Sequence, residues 1–242
     1  MSFLPRRILP LLLILAYSAG VAAQNSVKDF RLGGSAAILN EECIRLTPET
    51  PYVSGSAWFQ NVMDLEYPFE LTLDLVLGEN DDLGADGIVF VFHPSMQTGY
   101  RGEGMGFAGL YPSLGIEFDT YQNYHLGDPA ADHVAIMPHG QPHHARSMVG
   151  PIELPNLENG ARRPLTISWH PGTQLLKVSL DGTLRATYEG DIVAELFGGN
   201  SKVYWGATAA TGRKMNYQDV CIRKLVYAAA TVEAATDAGT GE

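Results

Sequence analysis

Apolar and polar residues alternate with a period of two along much of this chain, and helical periodicity is nearly absent. That period sends successive side chains to opposite faces, as a half-buried strand requires. From Phe69 to Leu75, phenylalanine and leucines occupy one face and Glu70, Thr72 and Asp74 the other. Residues 87–92 are a short, wholly apolar run, as for a buried strand. Leu165–Trp169 and Leu175–Leu180 flank a Pro171-Gly172 turn, and Asp181-Gly182 is a hairpin signal leading into Leu184–Tyr188. Val203–Ala209 and Asp219–Tyr227 read as closing strands, with one short helical turn around Ile192–Leu196. Residues 139–150 read as a polar loop. Many strands punctuated by Gly, Pro, Asn and Asp, with no internal repeat, predict a single all-β sandwich or jelly roll.

The two ends read differently. Arg6 and Arg7, the apolar run Ile8–Ala16 and the small-residue site Val21-Ala22-Ala23 predict a cleavable export signal over residues 1–23. The run is shorter than the roughly 20 residues a membrane span needs, so membrane insertion is not expected. Cleavage removes two of the sixteen basic residues and none of the twenty-seven acids, taking the net charge from −11 to −13. So acidic a surface disfavours nucleic acid and anionic lipid as partners, and bound divalent cations would offset part of it. Cys43 and Cys221 are the only cysteines. In an exported chain they are expected to form one disulfide, two buried free thiols being the alternative. No Asn-x-Ser/Thr sequon occurs, which favours a bacterial exported protein, secreted or periplasmic, over a eukaryotic glycoprotein. After Tyr227 the composition falls to Ala, Thr, Gly and acids. Residues 229–242 are therefore expected to be a disordered tail and 24–228 the folded domain.

The informative stretch runs from Gly115 to Ile136. Glu117 and Asp119 are two apart in a strand-like segment, so both carboxylates leave one face and repel each other unless a cation sits between them. Asn123 adds a neutral oxygen, Asp128 a third carboxylate and His133 an imidazole, and the Gly127-Asp128-Pro129 turn can bring the later groups back over the earlier ones. Oxygen ligands suit Ca²⁺, whereas one imidazole among carboxylates suits a transition ion such as Mn²⁺. A solvated acidic loop is the alternative.

This segment resembles the metal-binding loop of the legume-type (L-type) lectins, Glu-x-Asp-x-Tyr-x-Asn followed by Asp and His, at every position and spacing. The resemblance implies a concanavalin-like jelly-roll sandwich of two antiparallel sheets. It implies that Glu117, Asp119, Asp128 and His133 hold Mn²⁺ or another transition ion. Asp119, Asn123, Asp128 and the Tyr121 carbonyl would hold Ca²⁺, with Asp119 and Asp128 bridging. Ala85-Asp86-Gly87 resembles the family's cis-peptide motif, whose carboxylate accepts from sugar hydroxyls. Gly104-Met-Gly106 resembles its glycine-rich loop, with the Gly106 N–H offered to the sugar. The segment from Trp205 to Gly212 resembles its closing strand and the loop that helps set sugar preference. The loop from Thr211 to Gln218 is shorter than in plant members, so sugar preference does not carry over. The match covers residues from about 29 to 228.

The expected function is therefore non-catalytic, metal-dependent carbohydrate binding, with glycans or glycoconjugates as partners and a homo-oligomer compatible with the fold. A sugar site needs fixed acceptors, fixed donors and an apolar platform. Asp86 would accept, Asn123 and Gly106 would donate, and Tyr121 would stack, with Tyr124 its competitor. A jelly-roll glycoside hydrolase acting on β-glucan is the alternative, but it needs a third acid two residues beyond Asp119, where Tyr121 stands. A metallo-hydrolase would recruit His139, His143 or His144 as extra ligands.

Overall fold

The computed structural model describes residues 26–227. The expected export signal and acidic tail lie outside the described residues. Fifteen strands follow in chain order. They begin with β1 (Phe30–Gly34), β2 (Ala37–Ile38), β3 (Cys43–Thr47), β4 (Ser54–Phe59) and β5 (Met63–Asp64). Then come β6 (Phe69–Val76), β7 (Gly87–His93), β8 (Leu114–Asp119), β9 (His133–Pro138) and β10 (Val149–Glu153). The last are β11 (Arg163–His170), β12 (Leu175–Leu180), β13 (Thr183–Glu189), β14 (Lys202–Ala210) and β15 (Gln218–Val226). One α-helix, α1 (Ile192–Phe197), falls where the helical turn was expected.

The strands form two antiparallel sheets. One runs β1-β4-β14-β7-β8-β9-β10, with β5 paired to β14; the other runs β13-β12-β11-β6-β15-β3-β2. The jelly-roll expectation holds. Leu71, Leu73 and Leu75 of β6 and Leu165 and Ile167 of β11 are fully buried, and they share one core with Phe90, Ile116, Phe118 and Ile136 of the facing sheet. Phe69 stacks on Phe92 across the sheets at 5.2 Å between centroids. Each such side chain removed from water contributes roughly 1.5–3 kcal/mol.

Local chemistry sets the turns. Asp181 and Gly182 both take positive φ (54° and 72°) between the ends of β12 and β13. Two such residues make the type I′ turn that matches strand twist. Asp191 caps α1 by accepting from the Ala194 N–H at 3.0 Å, and Gly198 ends it at φ 59°. Cys43 and Cys221 are direct partners in the β3–β15 register and form the expected disulfide.

Strand β8 carries the site. Ile116 and Phe118 point into the core between the sheets. Its alternate positions share a face with Val89, Val91, Ala135 and Met137, which form a second apolar cluster under the segment holding Met105, Phe107 and Leu110. Glu117 pairs with Val89 and Ala135, and Asp119 with Gly87 and His133. That face is where the carboxylates emerge. The expected polar loop over 139–150 is only partly so. Residues 144–146 form a 3₁₀ turn, His144 is buried, and β10 begins at Val149. Local polarity does not reveal that this segment folds back onto β9.

Candidate metal centre and adjoining pocket

Glu117, Asp119, Asp128 and His133 are all buried in the structure. Register places His133 directly opposite Asp119. Ligand atoms of Asp119, Asp128 and His133 lie within 4.8 Å of one another. The loop between β8 and β9 closes on this cluster through its own backbone. The Tyr121 N–H donates to Asp119 Oδ1 at 2.7 Å, and the Asn123 N–H donates to Asp128 Oδ2 at 2.6 Å. Gln122 donates its amide to the Asp128 carbonyl at 3.2 Å.

Two buried oxygens here, Glu117 Oε2 and Asn123 Oδ1, have no hydrogen-bond partner, and Asp128 Oδ1 meets only an imidazole nitrogen at 3.1 Å. Burial pushes the Glu117 carboxyl up to about 8. Burial, then the neighbouring Glu117 and Asp128 carboxylates, hold Asp119 well above the ordinary carboxylate range. Burial lowers His133 to about 4, which keeps the imidazole neutral and its lone pair available. Orphaned acceptors among crowded acids are costly alone and suited to a divalent cation. The donor set therefore fits both implied ions. Oxygens of Asp119, Asn123 and Asp128 suit Ca²⁺, and the side toward Glu117 and His133 suits a transition ion.

A fifth group joins them. His144 Nε2 stands 2.9 Å from His133 Nε2, 3.1 Å from Asp128 Oδ1 and 3.6 Å from Glu117 Oε2. His144 sits 11 residues beyond His133, in a run of polar residues whose fold over the cluster is a long-range event. The sequence signal was the histidine content of that run. His139 and His143 go elsewhere: His139 packs on Tyr111 at 4.7 Å, and His143 Nδ1 accepts from the Ala145 N–H.

Beside the cluster lies a pocket of about 220 Å³ lined by Asp86, Glu103, Tyr121, Asn123, Gly212, Arg213 and Lys214. The Ala85–Asp86 peptide is cis, as expected. The Asp86 N–H donates to the Ala210 carbonyl, and the Asp86 carbonyl accepts from the Thr120 N–H, each at 3.0 Å. Asp86 is thus tied to β14 on one side and to the residue after Asp119 on the other. Its Oδ2 has no partner, and burial, then the Glu103 carboxylate, raise it to about 7. The loop after β14 passes close by, since a Cβ on Gly212 would lie 3.7 Å from Asp86 Oδ1.

Asp86, Asn123 and Tyr121 therefore meet at this pocket, with Tyr121 38% exposed. Tyr124 is 82% exposed and is not among the lining residues. The Gly106 expectation requires correction. Gly106 is buried, and its N–H donates to the Tyr100 carbonyl at 2.8 Å, so it has no donor left for a ligand. Glu103, three residues earlier, occupies the pocket wall instead. Its approach, like that of Arg213 and Lys214, depends on loop packing that residue spacing does not encode. A larger hollow of about 340 Å³, bounded by Trp169, Gln174 and α1, lies away from this cluster.

The sequence matches the legume lectin β-barrel (L-type lectin) domain family over residues 21–224. The pesticidal crystal protein Cry22Aa of Bacillus thuringiensis is 28% identical over 173 residues, a match taking in 62% of this chain and 24% of that protein. The chain thus spans about a quarter of that relative's length. The Bauhinia forficata lectin in complex with GalNAc superposes with a TM-score of 0.67 at 20% identity, covering 84% of this chain and 93% of that one. The basic winged bean lectin with Tn-antigen gives 0.64 at 22%, covering 80% and 90%. The exoplasmic/lumenal domain of VIP36 in its Ca²⁺/Man3GlcNAc-bound form gives 0.63 at 19%, covering 87% and 90%. At these identities the superpositions establish a shared fold, and the family match spans most of the sequence. The chain belongs to the legume-type (L-type) lectin domain family.

Proposed function

We propose that this protein is an exported, non-catalytic lectin whose glycan site is held in shape by divalent cations. The observation that carries the reading is the contact between the two halves of the site. Buried, unpartnered ligand oxygens lie directly beside a pocket that shares Asn123 with them and whose Asp86 is bonded to the metal loop through Thr120.

Glu117, Asp119, Asp128 and His133 would hold a transition ion, and Asp119, Asn123, Asp128 and the Tyr121 carbonyl would hold Ca²⁺. When bound, the ions neutralise the acids and fix the loop from Thr120 to Asp128. Asp86 then accepts hydrogen bonds from sugar hydroxyls, and Asn123 donates through its amide while its oxygen stays on the cation side. Tyr121 offers a ring face to the C–H side of the sugar. Arg213 and Lys214 add donors from the loop after β14. Fixing these groups before the ligand arrives lowers the entropy cost of binding. The bound chains among its structural relatives carry GalNAc, Tn-antigen and Man3GlcNAc, which supports a saccharide as the ligand class.

Nothing favours the β-glucan hydrolase. Glu117 and Asp119 are buried, and Tyr121 lies beyond the end of β8 instead of on its carboxylate face. The disulfide supports an oxidising, extracytoplasmic location. The test is Asp86→Ala on a glycan array, with urea unfolding as the folding control. Loss of glycan signal with a retained unfolding transition is expected. Unchanged glycan binding would overturn the assignment of the pocket.

A further inference from the structure

The cluster holds one more nitrogen than the family resemblance assigns. His144 enters from the 3₁₀ turn before β10, and its N–H donates to the Leu126 carbonyl at 2.9 Å, so its backbone is pinned to the metal loop. Ser147 Oγ donates back to the His144 carbonyl at 2.8 Å and fixes the turn from below. The His144 side chain is 3% exposed. Ligand atoms of Glu117, His133 and His144 lie within 4.8 Å of one another, and this trio shares His133 with the trio of Asp119, Asp128 and His133.

The spacings identify what such a group can do. Ligands at about 2.0–2.2 Å from one ion stand roughly 3.0 Å apart at the edge of an octahedron and roughly 3.4 Å apart at the edge of a tetrahedron. His144 Nε2 lies 2.9, 3.1 and 3.6 Å from His133 Nε2, Asp128 Oδ1 and Glu117 Oε2. The first two match octahedral edges of one coordination polyhedron, and the third is slightly longer than a tetrahedral edge. Two imidazole Nε2 atoms 2.9 Å apart share an N–H···N hydrogen bond without a metal and are spaced as co-ligands for one, and Glu117 Oε2 has no hydrogen-bond partner.

We propose that His144 is a direct metal ligand, making the transition-ion site a two-imidazole, carboxylate-rich centre that favours Zn²⁺ and the later first-row ions over Mn²⁺. The inference rests on the metal-dependent reading above and names the ion that reading leaves open. A second imidazole suits Zn²⁺, Cu²⁺ and Ni²⁺, whereas Mn²⁺ is served by carboxylate and water. Ca²⁺, on the all-oxygen side of Asp119, gains no ligand from it and shares only Asp128 with the residues that His144 meets.

The test uses the intact protein stripped of metal and reloaded with Ca²⁺ plus one second ion. Cu²⁺ electron paramagnetic resonance counts coordinated imidazole nitrogens: two are expected in the wild type and one in His144→Gln. Competition against a chelator should show Zn²⁺ affinity falling by more than the ~10–100-fold that an outer-shell partner supplies. Ca²⁺ affinity should stay within about threefold, because the oxygen ligands are unchanged. If the variant does not fold, anomalous diffraction from wild-type crystals soaked in Zn²⁺ decides the matter, with the ion expected within bonding distance of His144 Nε2. One nitrogen in the wild-type spectrum, or Zn²⁺ lying away from His144, overturns the proposal and leaves the lectin reading standing. A stripped protein that takes up no second ion at all overturns the His144 assignment and the transition-ion part of that reading together.

Discussion

Removing the cations should make this protein lose stability as the pH rises from 6.5 to 8. Burial pushes Glu117 from 4.5 to about 8. Above pH 4.5 the unfolded chain has released a proton that the folded, metal-free chain keeps, so stability falls with rising pH until the buried carboxyl ionises. His133 acts in the opposite sense. Burial lowers it to about 4, so the folded imidazole is neutral across the chosen window while the unfolded one sheds its last half proton there, an offset of only ~0.4 kcal/mol. Each tenfold change in proton activity is worth ~1.4 kcal/mol, so Glu117 alone accounts for a loss of ~2 kcal/mol over that window. Asp119, raised further by burial and by the Glu117 and Asp128 carboxylates, acts in the same direction. So does His144: burial opposes its charge, but Asp128 and Glu117 raise it overall, and its contribution is lost as the pH climbs through its folded value. Glu158, pushed to about 8 by burial, adds a similar loss that cations do not relieve, so the metal-restored protein is the necessary control. Urea unfolding of resin-stripped protein with its disulfide intact reads the effect. With a slope of ~3 kcal/mol/M, the Glu117 part moves the midpoint by ~0.7 M. The gap between loaded and stripped protein should widen by at least that much. A gap equal at both pH values, or a stripped protein that gains stability at pH 8, would refute the claim that these acids are buried together.

Two further outcomes are expected. Replacing Cys43 and Cys221 with alanine opens a crosslink between residues 178 apart, and loop-closure entropy puts the cost at ~5 kcal/mol, seen as a large fall in the thermal midpoint. A shift under a few degrees would mean the bridge constrains little. Gly87→Ala places a Cβ 2.2 Å from the Phe118 carbonyl at φ +147°, so β7 and β8 must part beside Asp86 and Asp119. Stability should drop by ~2 kcal/mol or more, and glycan and Ca²⁺ affinity should fall together; a variant with wild-type binding would uncouple the two motifs.

The sheets were legible because burial on one face writes period two into the chain, as from Phe69 to Leu75. Asp181-Gly182 was legible because two positive-φ residues suit few turns other than a hairpin. The clustering of Glu117, Asp119, Asp128 and His133 was legible because they lie within one local run on adjacent strands. His144 was not, since its place depends on a segment returning over β9, and its neighbours His139 and His143 turn elsewhere. Gly106 failed for the complementary reason. A glycine in a loop announces backbone freedom but not where its N–H points, and here it points at Tyr100. The pocket wall from Glu103, Gly212, Arg213 and Lys214 is assembled by loops that meet only in three dimensions.

One preparation, run on a glycan array as purified, after stripping with chelator, and after Ca²⁺ is restored with Zn²⁺, addresses the core of the account. Asp86 and Asn123 should hold saccharide in the first and third states and release it in the second. Equal glycan signal in all three would show that the pocket keeps its shape without cations, and the proposed function would have to be abandoned.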